Sequence, residues 1–242
     1  MDKVSFGHED VAPDEKTRRV RGVFSSVASR YDLMNDLMSG GLHRLWKHEF
    51  VRRVRPRESE AILDMAGGTG DIGFRLARAG AAVTVADINP EMLAIGVERA
   101  KAHGIEGLIW AEENAETLSF ADKSFDAYTI AFGIRNVTGI PAALREAHRV
   151  LKTGGRFFCL EFSRSRWPGF RTLYESYSRR VVPRIGKAVA KDEASYRYLI
   201  ESIERFPDMP AFAKMIEAAG FKLVKAEPIL GGLVAIHSGW KT

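Results

Sequence analysis

Residues 61–73 read Ala61-Ile62-Leu63-Asp64-Met65-Ala66-Gly67-Gly68-Thr69-Gly70-Asp71-Ile72-Gly73. An apolar run ends in Asp64, a glycine-dense turn follows, and Ile72-Gly73-Phe74-Arg75-Leu76-Ala77 continues as an amphipathic run. A second buried-type strand, Ala82 to Ala86, ends in Asp87. Strand, tight turn, helix and strand make a nucleotide-binding βαβ half-unit.

The turn carries G-x-G-x-x-G at Gly68, Gly70 and Gly73, with Asp87 seventeen residues after Gly70. By itself this is the dinucleotide pattern. Two carboxylates argue against a diphosphate. Asp64 closes the strand below the loop, and Asp71 stands at the mouth of the helix, where a phosphate needs bare N–H groups. S-adenosyl-L-methionine has no phosphate; it has an ammonium, a sulfonium, a carboxylate and an adenosine. Asp64 and Asp71 suit its cationic groups, the backbone at Gly67, Gly68 and Gly70 admits its amino-acid end, and Asp87 is placed for the ribose hydroxyls. A structural turn without a ligand is the plain alternative.

At 242 residues with 45% hydrophobic content the chain fits a single large α/β domain. Its one cysteine, Cys159, rules out an internal disulfide and fits a reducing compartment. The charged start lacks an apolar signal region, and no apolar run approaches a membrane span, so a cytoplasmic protein is expected. Net charge is +5, and the surplus is local: Arg164 to Lys191 holds eight basic residues against Glu175 alone. Such a stripe serves anionic lipid, nucleic acid or simple solvation.

Residues 1–15 show no periodicity and are expected to form a flexible arm ahead of a single domain over 16–242. Val20, Val23, Phe24, Val27 and Ala28 predict a helix from Lys16. Tyr31 to Trp46 then mixes large apolar groups with Tyr31, Asp32, Asn35 and His43, and residues 16–58 read as an N-terminal helical lid. Helices are predicted at Pro90–Ala102, with Asn89 as N-cap, at Pro141–Val150 and at Pro210–Ala219. Strands are predicted at 107–111, 127–132 and 156–162, with Lys152–Gly155 as a turn, and a terminal hairpin at about 221–226 and 232–238. Residues 164–206 interrupt the alternation as a helical insertion. Asn114 and Ala115, and Gly133 to Val137, fall at the strand ends where ligands of open α/β sheets bind. Asn114 either reads an adenine amino group or caps a turn.

Tyr31-Asp32-x-Met34-Asn35-x-x-Met38-Ser39-x-x-x-His43-x-x-Trp46 resembles the first signature of the ubiquinone/menaquinone biosynthesis C-methyltransferases. Arg149 to Ser163 is similar to the second, with Thr153 where the family usually has proline. Gly67 to Asp71, Phe132 to Val137 and Ser195 to Leu199 extend the resemblance over nearly the whole chain. It implies a Rossmann-like, seven-stranded class I methyltransferase sheet with helices on both faces. It also implies cofactor contacts at Thr69, Asp87, Asn114, Ala115 and Ala131, the last where the family usually has serine. The implied reaction is methyl transfer to a ring carbon of a polyprenylated benzoquinol, demethylmenaquinol, or both.

A ring carbon attacks a sulfonium methyl only when electron-rich, as a quinol near its phenolate is. Arg135 and Asn136 are the candidates for stabilising that oxygen, and Tyr31 and His43 for orienting a water or acting as base. A loop-holding salt bridge for Arg135 and a capping role for His43 are the structural alternatives. Phe170, Tyr174, Tyr177 and residues 185–190 offer an apolar groove for the prenyl tail, with the arginines beside lipid headgroups on the inner membrane face. A homodimer and contacts with other quinone-biosynthesis proteins are compatible with this reading; nucleic acid and metal are not expected. Another small-molecule O- or N-methyltransferase of the same fold is the alternative function.

Overall fold

In the computed structural model, residues 3–28, 35–36, 39–163, 193–229 and 232–242 are described. Tyr31 and the basic stretch, with Phe170, Tyr174, Tyr177 and residues 185–190, lie outside them. The N-terminal segment is a hairpin, β1 (Val4–Phe6) and β2 (Glu9–Val11), followed by α1 (Pro13–Val27) and α2 (His43–Val54). The core unit runs β3 (Ala61–Met65), α3 (Asp71–Arg78), β4 (Ala82–Asp87), α4 (Pro90–Ala102) and β5 (Ile109–Glu112). It continues through β6 (Phe125–Ala131), a 3-10 turn at Ile134–Asn136, α5 (Ile140–Val150) and β7 (Leu151–Phe162). α6 (Glu193–Arg205), α7 (Met209–Ala218), β8 (Lys222–Ile229) and β9 (Val234–Trp240) complete it.

The main sheet has seven strands in the order β5-β4-β3-β6-β7-β9-β8. β3 to β7 pair in parallel, and β9 runs antiparallel between β7 and β8. The order reverses between β3 and β6, the switch point at which such sheets open a crevice beyond their C-terminal strand ends. Alternate residues feed two cores. Ile62, Val83, Ala127 and Leu160 meet Trp46, Phe50 and Leu76 of α2 and α3 on one face. Leu63, Tyr128, Ile130 and Cys159 meet Leu144, Phe212 and Ile216 of α5 and α7 on the other. The period of two therefore buries both faces under helices.

Two expectations change. Residues 4–11 are not an irregular arm: the hairpin packs Phe6 on Tyr198 of α6, ring centroids 4.3 Å apart, and His8 donates from its backbone to Glu201. The partner that orders them is nearly two hundred residues away, so local periodicity carries no trace of it. The Lys152–Gly155 turn is a bulge inside β7, whose pairing with β6 jumps from Phe125↔Leu151 to Ala127↔Arg156.

Candidate functional site

A cleft opens over the C-terminal ends of β3, β4 and β6, roofed by α1 through Thr17, Val20 and Phe24. Asp64, Gly67, Gly68, Thr69, Asp87, Asn114, Ala115, Ala131 and Asn136 lie on its wall. In sheet order, the loop after β5 brings Asn114 and Ala115, β4 brings Asp87, β3 brings Asp64, and β6 brings Ala131 and Phe132.

Asp64 is buried at the end of β3, where one oxygen accepts from Thr129 Oγ1 at 2.9 Å. Its other oxygen has no hydrogen-bond partner among the described residues. Burial pushes this carboxyl up to about 7, with the Thr129 hydroxyl and the Gly73 backbone N–H opposing the shift. Gly67 lies directly over it: a Cβ there would stand 2.6 Å from Val85 Cγ1 and 3.0 Å from Asp64 Oδ2. The loop thus keeps a bare backbone beside a carboxyl oxygen that makes no hydrogen bond of ordinary geometry. Asp87 accepts from Gly68 N and Asn89 N, both at 2.9 Å, and burial raises it to about 6 despite them. Thr69 Oγ1 accepts from Arg99 Nη1 at 2.6 Å, which leaves its own proton to donate into the cleft. Asn114 Oδ1 accepts from Glu116 N at 3.0 Å, so this residue caps its turn and also walls the cleft.

Gly70 is not on the wall. It begins α3 in the left-handed region, φ 86°, and a Cβ there would stand 2.7 Å from Phe74 and 2.8 Å from Trp110. Asp71 is on the wall but its charge is already answered: Lys47 Nζ lies 2.8 Å from Oδ2 and Arg75 Nε 3.2 Å from Oδ1. These cations hold Asp71 down at about 2 against the opposing effect of burial. The assignment of Asp71 to a ligand cation is corrected accordingly.

The catalytic candidates divide. Asn136 faces the cleft, with Oδ1 accepting from Tyr198 OH at 3.1 Å and Nδ2 donating to Phe132 O at 3.4 Å. Arg135 points elsewhere. Its Nη1 donates at 2.7 Å to both Glu161 Oε1 and Phe132 O, in an ion pair of side chains 5% and 0% exposed. The charge expected on a phenolate is spent on Glu161, so the loop-holding alternative describes its contacts. His43 is also off the wall. Its Nε2 is 2.8 Å from Asp36 Oδ1, its backbone N–H donates to Ser39 Oγ, and burial holds its imidazole below the usual range. Lys47, one residue beyond the Trp46 that ends the lid signature, reaches the wall without having been singled out in the sequence. Helical spacing alone does not tell which side of α2 meets the cleft.

Orphaned Asp64 Oδ2, the Gly67 cradle and a wall of carboxylates, a hydroxyl and an amide fit the ammonium, sulfonium and ribose of S-adenosylmethionine. Among the described residues, no metal cluster of three or more ligating side chains accompanies them. The model of the ubiE/COQ5 methyltransferase family matches residues 12–241. The chain is 68% identical to the Zymomonas mobilis ubiquinone/menaquinone biosynthesis C-methyltransferase UbiE, covering all of both chains. It is 50% identical to the mitochondrial 2-methoxy-6-polyprenyl-1,4-benzoquinol methylase of Arabidopsis thaliana, covering 98% of this chain and 90% of that one. Among solved structures, a Thermotoga maritima S-adenosylmethionine-dependent methyltransferase superposes with TM-score 0.67 at 18% identity, over 92% of this chain and all of that one.

Proposed function

The chain belongs to the ubiE/COQ5 methyltransferase family, and from that premise we propose that it methylates a ring carbon of a polyprenylated quinol, a benzoquinol, demethylmenaquinol or both. It is an S-adenosylmethionine-dependent C-methyltransferase of ubiquinone/menaquinone biosynthesis. The observation that carries the reading is the wall of the cleft, where the carboxyl groups of Asp64 and Asp87 stand beside the bare Gly67–Gly68 backbone.

When bound, the cofactor supplies an electrophilic methyl group on a positively charged sulfur. Asn114 and Ala115 hold the adenine, Asp87 accepts from the ribose hydroxyls, and Asp64, Gly67, Gly68 and Thr69 take the sulfur and amino-acid end. Ala131 contributes backbone only. Asn136 presents an amide to the acceptor ring and steadies the oxygen charge that grows there. Tyr198 fixes that amide, and Arg135 acts behind it as a positioning residue. Phe132 is non-glycine at φ 57°, and its carbonyl is held by Arg135 while its N–H donates to Leu160 O at 2.8 Å. Tyr31 remains a proposed candidate for orienting a water or acting as base. The composition of residues 164–191 supports peripheral contact with the inner membrane face; no described helix is long and apolar enough to cross a membrane.

The test is label transfer from methyl-labelled S-adenosylmethionine to short-chain demethylated benzo- and naphthoquinols. Label on the ring carbon of either is expected. Transfer to oxygen, or none to either ring, would sink the assignment.

A further inference from the structure

Asp64, Asp71, Asp87 and Glu116 line the cleft, and among its described lining residues Lys47 is the only basic one. S-adenosylmethionine contains one anionic group, the carboxylate of its methionyl end. Without a cation, that group would enter a cleft walled by acids, and like charges a few ångströms apart repel. We propose, resting on the cofactor reading above, that the Lys47 ammonium receives this carboxylate and recognises the methionyl end.

The geometry prepares the lysine for such a contact. Its side chain is 7% exposed, and Asp71 is its hydrogen-bond partner among the described residues. An ammonium has three protons to donate, so the Asp71 bond fixes its place and leaves capacity for a second acceptor. Asp71 is itself shared with Arg75, which keeps Lys47 from being fully neutralised by its partner. Position agrees with chemistry. The adenine and ribose groups of the wall come from the β5 and β4 side, so the methionyl end falls over β3 and the start of α3, where Lys47 reaches in from α2. The two residues thus divide the labour: Lys47 binds, and Asp71 positions it. Because α2 belongs to the lid, the same contact would join the lid to the bound cofactor.

The alternative is a purely structural latch between α2 and α3. Calorimetry separates the two, using the full chain with S-adenosylmethionine and its decarboxylated analogue, which keeps the sulfonium, amine and adenosine. Wild type should prefer the carboxylated ligand by about 10- to 100-fold, as a charge-assisted hydrogen bond allows. Lys47→Met should bind the two ligands within about threefold of each other while holding the decarboxylated one nearly as wild type does. Lys47→Arg should recover most of the preference, and keeps the test open where the Met variant fails to fold. A wild-type preference retained in Lys47→Met, no preference in wild type, or equal losses for both ligands would each overturn the inference. If wild type bound neither ligand, the cofactor reading itself would fall, an outcome distinct from the others.

Discussion

Asp64 carries an uncommon burden for a carboxyl group: it is buried, half-satisfied and poised near neutrality. Its folded value of about 7 lies above the ordinary 3.8, so the native state holds a proton that the unfolded chain has released. The sign follows from proton linkage. Its contribution to stability is fully present below about pH 4 and is lost as pH rises through about 7. Asp64→Asn should remove that slope, which thermal melts of the two proteins between pH 4 and 8 would show. A cation bound beside Asp64 favours the carboxylate, so affinity for S-adenosylmethionine should fall below pH 7 by up to about tenfold per pH unit, and the Asn variant should lose most of that dependence. Calorimetry at pH 6, 7 and 8 measures it. Arg135 belongs to the same scale. Arg135→Ala strands a buried Glu161 carboxylate and should cost about 3–5 kcal/mol in urea melts. Arg135→Met with Glu161→Leu should recover most of that stability while turnover stays low, since Phe132 and Asn136 have lost their strut. Normal turnover in the double variant would remove Arg135 from the positioning role.

Elements meet at the site in pairs that sequence neighbours do not form. α6 is the clearest case: its Tyr198 holds Asn136 from one side and stacks on Phe6 of the hairpin from the other. The predicted apolar face of α1 has two uses, since Val20 and Phe24 both pack against α6 and roof the cleft. Phe6→Ala should therefore destabilise the protein by about 1–2 kcal/mol and loosen α6, read as faster hydrogen exchange in residues 193–205. Tyr198→Phe removes one hydrogen bond and should cost about 1 kcal/mol of stability. It should lower kcat while leaving the KM for S-adenosylmethionine near wild type. An unchanged kcat would detach α6 from the chemistry.

Across the whole molecule, the sheet lays out the cleft residues in strand order, from Asn114 beyond β5 to Asn136 beyond β6. Both faces are closed by helices, so the open strand ends are where a crevice forms. The charge of the whole chain points a second way. Its +5 surplus is exceeded by the imbalance within residues 164–191, and that stretch follows β7, which pairs with β6 of the cleft wall. Contact with anionic lipid should then be electrostatic and screened by salt. Sedimentation with vesicles rich in anionic phospholipid should show binding at low ionic strength that fades by about 0.5 M salt and is absent with neutral vesicles.

The glycine turn, the Asn89 cap and the spacing of β and α segments determine the alternating βα core from sequence alone, because dihedral needs and hydrophobic period are local properties. The cleft residues at strand ends were legible for the same reason: a residue closing a parallel strand has one edge to face. Tertiary structure alone decided that Arg135 turns to Glu161, that Lys47 takes Asp71, and that residues 4–11 fold as a hairpin on α6. A side chain's partner depends on which distant groups share its volume, and burial forces charges in that volume to pair. Neither condition is written in the residues on either side.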